Sequence, residues 1–168
     1  MNFIEKIAEK RKIKNTFKNE FLYAKTCCKG GYEELLNLEK SIKSFNANLA
    51  NGSNDFLIRR YNAAVAETLS KFETFYSPFI KSLEILTEIS EQNSKYVKKV
   101  ALLKEYQNII NNKFINLYSY FLVAGKLPAD DKQNLKQTFF KVIKATKIPV
   151  HTDENTKVDD NTNTDPTI

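Results

Sequence analysis

The sequence predicts an all-α protein, and three observations support that class. Apolar residues recur at steps of three and four through most of the chain, which places them on one face of a helix. The 168 residues include only 4 Gly and 4 Pro. No alternation of apolar and polar residues persists beyond a few positions, so no strand is predicted. We therefore expect one domain over residues 1–148, built as a bundle of four to five antiparallel helices.

Residues 2–28 predict a basic amphipathic helix. From residue 13 onward one face is apolar, and it carries Ile13, Phe17, Phe21, Ala24 and Cys28. Toward Phe3 and Ile7 the same face is interrupted by Lys10 and Lys14, so the first ten residues are expected to form a separate or mobile helix. Six of the seven cations in this segment are candidate contacts for an anionic partner: Lys6, Lys10, Arg11, Lys12, Lys14 and Lys18. The alternative is a bundle helix with a solvated lysine face.

Lys29-Gly30-Gly31 predicts a turn, and a second helix is expected over residues 32–50. Its apolar residues form a regular seam with alternating steps of three and four: Leu35, Leu38, Ile42, Phe45 and Leu49. Such a seam can pair within the chain or with another protein. Pairing within the chain is favoured because the apolar faces of the neighbouring long helices have to be buried. If the seam instead pairs with another protein, Leu35, Leu38 and Ile42 would be the contacts with that partner.

The stretch from Asn54 to Gly125 predicts a long central helical hairpin. Its first half has nine residues on one apolar face: Ile58, Tyr61, Val65, Leu69, Phe72, Tyr76, Phe79, Leu83 and Leu86. Ser53 or Asn54 is the expected N-cap. Pro78 interrupts this half and predicts either a kink or two helices joined end to end. The apolar face keeps its phase across the proline, which favours the kink.

The second half of the hairpin begins after a break at Gln92-Asn93-Ser94. Its predicted inward residues are Tyr96, Val100, Leu103, Tyr106, Ile110, Phe114, Leu117 and Phe121. Tyr118 and Tyr120 are two positions apart, so they cannot both face the core of a helical bundle. We take both as candidate partner contacts, with one of them marking an exposed surface.

A final helix is predicted from Asp130, which with Gln133 resembles a capping box, to about Thr146. Leu135, Phe139, Val142 and Ile143 are its expected inward residues. Residues 149–168 are acidic and nearly free of large apolar side chains. That composition predicts a disordered tail, because too little apolar surface is available for burial.

The sequence lacks the residue sets of the common catalytic and metal sites. The single histidine, His151, lies in the predicted tail, which excludes ordinary Ser-His-Asp and Cys-His sites. Cys27 and Cys28 lack the spacing of a zinc site, and no glycine-rich phosphate loop is present. Glu84, Glu88 and Glu91 lie near one helix face, where a solvated surface is favoured over paired acid–base catalysis. We therefore predict no catalytic residue, no cofactor and no metal.

Charge and cysteine content bear on partners and location. The formal net charge is +6, and the 26 basic residues include only the arginines Arg11, Arg59 and Arg60. Such a preference for lysine over arginine is typical of proteins from AT-rich genomes, including those of many phages. Adjacent cysteines cannot build a disulfide framework, and no signal peptide or transmembrane segment is predicted. The expected location is the cytoplasm, which for a phage protein means the host cytoplasm or the virion.

These observations predict a non-enzymatic helical protein that acts by binding another protein or a second copy of itself. It would serve as a structural or assembly component or as a small adaptor. One alternative is nucleic-acid binding through the basic helices 2–28 and 130–147. Another is peripheral binding of a membrane surface by helix 2–28. The scarcity of arginine argues against the reading of base edges.

Overall fold

The computed structural model describes residues 2–49, 55–124 and 127–150. These ranges form four α-helices, α1 (Phe3–Leu49), α2 (Asp55–Gln92), α3 (Val97–Ala124) and α4 (Ala129–Thr146), and contain no strand. A 3-10 turn, Ser94–Tyr96, joins α2 to α3. The predicted all-α bundle is confirmed. Consecutive helices run in opposite directions, so α1 and α3 are parallel neighbours.

Helix α1 runs without interruption through Gly30 and Gly31, so the predicted turn at residues 29–31 is wrong. The reason is the packing against α2. A Cβ atom on Gly30 would lie only 2.6 Å from ring atoms of Phe75, so this glycine allows the two helices to approach closely. Burial of an apolar face contributes more to helix stability than intrinsic propensity does, and here it outweighs the weak helix preference of two glycines.

The first ten residues of α1 continue the same helix, so the prediction of a separate helix is wrong. Residues 2–12 are all exposed and extend beyond the bundle; we call residues 3–12 the arm. Its start is capped reciprocally. The Asn2 side chain accepts from the backbone N–H of Glu5, and the Glu5 carboxylate accepts from that of Asn2, both at 2.8 Å. Mobility of the arm stays a prediction.

Helix α2 is the centre of the core. All nine residues predicted for its apolar face are buried. The helix continues through Pro78, so the alternative of two separate helices is wrong, whereas a kink at this residue stays a prediction. Contacts along its length fix its direction against α1. The rings of Phe45 and Tyr61 stack at 3.9 Å, and the hydroxyl of Ser82 donates to the carboxylate of Glu20 at 2.6 Å.

Helices α2 and α3 form the predicted hairpin. The rings of Phe72 and Phe114 stack at 5.4 Å, and the Tyr76 hydroxyl donates to the Asn111 side chain at 2.5 Å. Seven of the eight residues predicted to face inward on this half are buried. Tyr106 is the exception, with 43% of its surface exposed, so its predicted inward position is wrong.

Helix α4 covers the hairpin from the side opposite to α1. Its predicted core residues are buried, and the Phe139 ring contacts rings of α3. The predicted capping box is wrong, because the helix begins at Ala129 and no side chain caps it. Asp131 instead accepts a hydrogen bond from the Asn62 side chain of α2 at 2.8 Å. The predicted tail began at residue 149, but Pro149 and Val150 are described and Val150 packs against the core, so disorder from residue 149 is wrong. The rest of the tail, residues 151–168 with His151, lies outside the described residues, as do Ser53, Asn54 and Gly125.

Candidate functional site: a groove and a cleft between α1 and α3

The structure buries most of the residues that the sequence offered as partner contacts. Leu35, Leu38 and Ile42 are at most 1% exposed because they pack within the chain, so pairing within the chain is confirmed and the seam is removed from the candidate surface. Tyr118 is also buried. Tyr120 is exposed, as expected for one of the two tyrosines, and its hydroxyl accepts a hydrogen bond from the Asn46 side chain at 3.2 Å.

An open groove lies between α1 and α3, and the two helices contact each other on either side of it. On one side the rings of Phe17 and Tyr96 stack at 4.0 Å. On the other side, the Lys113 ammonium donates a hydrogen bond to the Glu39 carboxylate at 2.8 Å. This hydrogen bond is the main cause that lowers the pKa of Glu39. The space between has a volume of about 580 Å³. We call it the α1–α3 groove; its lining residues are Leu22, Lys25, Thr26, Cys28, Lys29, Tyr32, Tyr106, Ile109 and Ile110.

The lining of the α1–α3 groove is apolar, aromatic and exposed. Leu22 is 62% exposed and Ile109 is 50% exposed, and Tyr32 and Tyr106 also present surface to solvent. No Asp, Glu or His belongs to the lining. The sequence could not reveal this surface, because Leu22, Tyr106 and Ile109 are ordinary members of helical patterns and their meeting depends on how α1 packs beside α3.

Cys28 forms part of the floor of the groove, and burial raises the pKa of its thiol to about 11, with a smaller effect from Cys27. Raising the pKa by two units leaves about a hundredfold less thiolate at neutral pH. We expect Cys28 in the folded chain to react slowly with iodoacetamide at pH 7, and faster as the pH rises toward 11. Mass-spectrometric mapping of the alkylated peptide checks this. Labelling as fast as in the urea-unfolded chain would contradict it.

A second concave site lies beside the groove, toward the arm. It has a volume of about 350 Å³ and combines four lysines with three stacked aromatic rings; its lining residues are Lys14, Phe17, Lys18, Phe21, Lys95, Tyr96 and Lys99. We call it the lysine cleft. The ammonium of Lys95 lies 5.0 Å from the centre of the Tyr96 ring, and that of Lys99 lies 5.5 Å from the centre of the Phe21 ring. These cation–π contacts hold the lysines at the cleft.

The structure brings only some of the predicted cations into the cleft. Lys14 and Lys18 line it, whereas the other four are exposed on α1 before it: Lys6, Lys10, Arg11 and Lys12. Lys95 and Lys99 were not predicted, because they come from the far side of the hairpin turn. The exposed lysines of α4, Lys141 and Lys144, do not line the cleft, so the two basic helices do not form one surface there.

The three predicted neighbouring carboxylates do share one side of α2. They lie with Lys104 around a shallow groove between α2 and α3, which is lined by Ile80, Leu83, Glu84, Thr87, Glu88, Glu91, Lys104 and Gln107. All three are exposed, as a solvated surface requires. No group of three His, Cys, Asp or Glu side chains in residues 2–49, 55–124 and 127–150 is placed to hold a metal ion.

Comparisons with known proteins assign no function to the site, so its function has to be inferred from its own residues. No protein-family model, curated protein or solved structure matches the chain. Among the helices of the described ranges, none has an apolar stretch long enough to span a membrane.

Proposed function

We propose that this chain is a non-enzymatic protein-interaction module that binds an amphipathic helix of another protein in the α1–α3 groove. The observation that carries the proposal is the open groove of about 580 Å³ with exposed apolar and aromatic side chains from two helices. Exposed apolar surface of this kind marks interaction sites, and a groove between helices suits the insertion of a third helix. A module of this kind can serve as an adaptor or an assembly component.

The charges at the groove favour an acidic partner. Lys25 and Lys29 are one helical turn apart on the same side of α1, and no carboxylate lines the groove to oppose them. The groove follows α1 from Leu22 to Tyr32, a rise of about 15 Å. That length matches about three turns of a partner helix. We therefore expect a helix with apolar anchors on one face and Asp or Glu beside them.

Two segments of this chain suit the groove poorly, which favours a different protein as the occupant. The arm carries the exposed apolar residues Phe3, Ile4 and Ile7, but its basic residues would meet the like charges of Lys25 and Lys29. Residues 151–168 are acidic, but Val158 and Ile168 are their only large aliphatic residues. Neither segment combines the apolar anchors and the negative charge that the groove favours.

The proposal is tested with a synthetic acidic peptide that carries leucines at helical spacing, and with a scrambled peptide of the same composition. We expect the full chain to bind the first peptide and not the second in fluorescence anisotropy. Leu22→Glu/Ile109→Glu should abolish binding, because both side chains are exposed in the groove and the new carboxylates repel the peptide. Phe56→Glu/Val123→Glu is the matched control, since it also adds two carboxylates, and these residues are 61% and 82% exposed and lie outside the groove.

Three outcomes would contradict the proposal. Equal binding of the scrambled peptide would show that only charge matters. An equal loss in the Phe56→Glu/Val123→Glu control would show that the effect does not depend on the groove. Light scattering could also show an oligomer of the wild type that is absent in the Leu22→Glu/Ile109→Glu variant. That result would mean that a second copy of the chain, and not a different protein, occupies the groove.

A further inference from the structure

The lysine cleft has a chemistry different from that of the α1–α3 groove, and the inference drawn from it does not rest on the proposed function. Its cations come from two parts of the fold: Lys14 and Lys18 from α1, and Lys95 from the 3-10 turn together with Lys99 from the first turn of α3. No Asp or Glu belongs to its lining. Four ammonium groups around a concave surface create a positive potential that attracts and concentrates anions.

The positive surface continues along the arm. Lys6, Lys10, Lys14 and Lys18 follow one another at four-residue spacing over about 18 Å of α1, so they lie along one side of the helix. Glu5 and Glu9 occur in the same segment, but the helical rotation of 100° per residue places them on the opposite side from Lys14 and Lys18. The site is therefore a linear row of point charges that leads into a cleft.

Tyr96 supplies a second and independent indication of a ligand. Its side chain is 92% buried at the cleft, and its hydroxyl has no hydrogen-bond partner among the described residues. A buried hydroxyl without a partner destabilises the protein, because it has lost its hydrogen bonds to water. Tyr96 also lines the cleft, so an anionic oxygen bound within reach of this hydroxyl would supply the missing acceptor.

We propose that the lysine cleft and the adjoining row on α1 bind the phosphate backbone of single-stranded nucleic acid without reading its bases. A linear polyanion matches a linear row of ammonium groups, and single-strand sites commonly use a positively charged groove that follows the backbone. A cleft of about 350 Å³ can admit a strand, whereas a flat bilayer cannot enter it. Phe17 stacks on both Tyr96 and Phe21. The ammonium groups of Lys95 and Lys99 lie over the Tyr96 and Phe21 rings, so the cleft presents cations rather than open ring faces to a ligand.

The test measures the salt dependence of binding to a labelled oligodeoxythymidine, on full-length protein purified free of nucleic acid. Six phosphate contacts, one for each lysine of the cleft and of the row, predict a slope of log K against log salt of about −4 for a single strand. Lys95→Gln/Lys99→Gln should reduce that slope to about −3, because four contacts remain. Lys141→Gln/Lys144→Gln changes the net charge equally on α4, away from the cleft, and should leave the slope unchanged.

Two further variants separate binding from folding. Lys95→Arg/Lys99→Arg keeps the charges and should keep the slope of the wild type. Tyr96→Phe keeps the ring beside Phe17 and removes the hydroxyl, so affinity should fall about tenfold, the worth of one hydrogen bond to a charged acceptor. Circular dichroism on every variant should show an unchanged helical signal, since Lys95 and Lys99 are exposed.

Competition experiments identify the class of ligand. We expect unlabelled single strand to compete best, and duplex DNA, polyglutamate and vesicles rich in phosphatidylserine to compete poorly. Equal competition by polyglutamate would indicate that the ligand is an acidic protein segment and not nucleic acid. Stronger competition by vesicles than by single strand would indicate that the ligand is a membrane surface. Either result would overturn the proposal, as would an equal loss of binding in the Lys141→Gln/Lys144→Gln control.

Discussion

Phe139→Ala is expected to lower the free energy of unfolding by about 3–5 kcal/mol, the range for truncation of a buried aromatic residue. Phe139 is fully buried, and its ring lies within 6 Å, centre to centre, of the rings of Phe114, Tyr118 and Phe121. The substitution would leave a cavity at the contact that joins α4 to α3. Because three large rings surround the site, the structure can collapse into the space only in part.

Urea denaturation followed by circular dichroism measures this change. Phe56→Ala is a suitable control, since Phe56 is 61% exposed and its removal should cost less than about 1 kcal/mol. Loss of α4 alone would appear as a second transition or a smaller slope against urea. Equal stability of the Phe139→Ala and Phe56→Ala variants would refute the packing that the structure shows for α4.

Gly30→Ala and Gly31→Ala are expected to change stability in opposite directions, although the residues are neighbours in one helix. Alanine in place of glycine inside a helix usually stabilises by about 1 kcal/mol. At Gly31 the added Cβ would meet Phe72 and Phe75 at 3.7–3.8 Å, an ordinary van der Waals distance, so that gain should be realised. At Gly30 it would lie 2.6 Å from the Phe75 ring and 2.9 Å from its Cγ.

The Gly30 clash is not relieved by rotation of the Phe75 ring, because Cγ does not move in that rotation. Overpacking of this kind costs about 1–3 kcal/mol, so Gly30→Ala should be destabilising despite its better helix propensity. Thermal unfolding of both variants checks the signs. The pair Gly30→Ala/Phe75→Ala should be less destabilised than the sum of the single changes, because the clash is then absent. A stabilised Gly30→Ala variant would mean that α1 and α2 are further apart.

The sequence predicts best where one helix buries one continuous face. All nine predicted residues of α2 are buried, because steps of three and four keep them on one side of a helix that is covered along its length. The hairpin of α2 and α3 could also be predicted, since Asn93 interrupts the pattern and its side chain accepts from the backbone N–H of Lys95 in the new turn.

The errors arise where contacts distant in sequence decide the local structure. Gly30-Gly31 predicts a turn from local preference, but the fit of Phe75 against Gly30 keeps the segment helical. Tyr106 has helical spacing, but it lies beside the space that α1 and α3 leave between them. Asp130 resembles an N-cap, but the helix begins one residue earlier and the next carboxylate, Asp131, pairs with Asn62.

The candidate sites were predictable only in part for the same reason. Lys14 and Lys18 belong to a basic segment that is visible in the sequence, and both line the lysine cleft. Lys95 and Lys99 lie about eighty residues later, and only the stacking of Tyr96 on Phe17 brings them beside the first pair. No local pattern encodes that meeting.

The length of α1 has a consequence for hydrodynamic measurements. A helix of 47 residues is about 70 Å long, whereas a compact chain of 168 residues has a radius of gyration of about 15 Å. The arm extends beyond the bundle, so a monomer will experience more friction than a sphere of 19.4 kDa. It will elute from a gel-filtration column earlier than a globular standard of the same mass. Only absolute mass, from light scattering or sedimentation equilibrium, distinguishes an elongated monomer from a true pair.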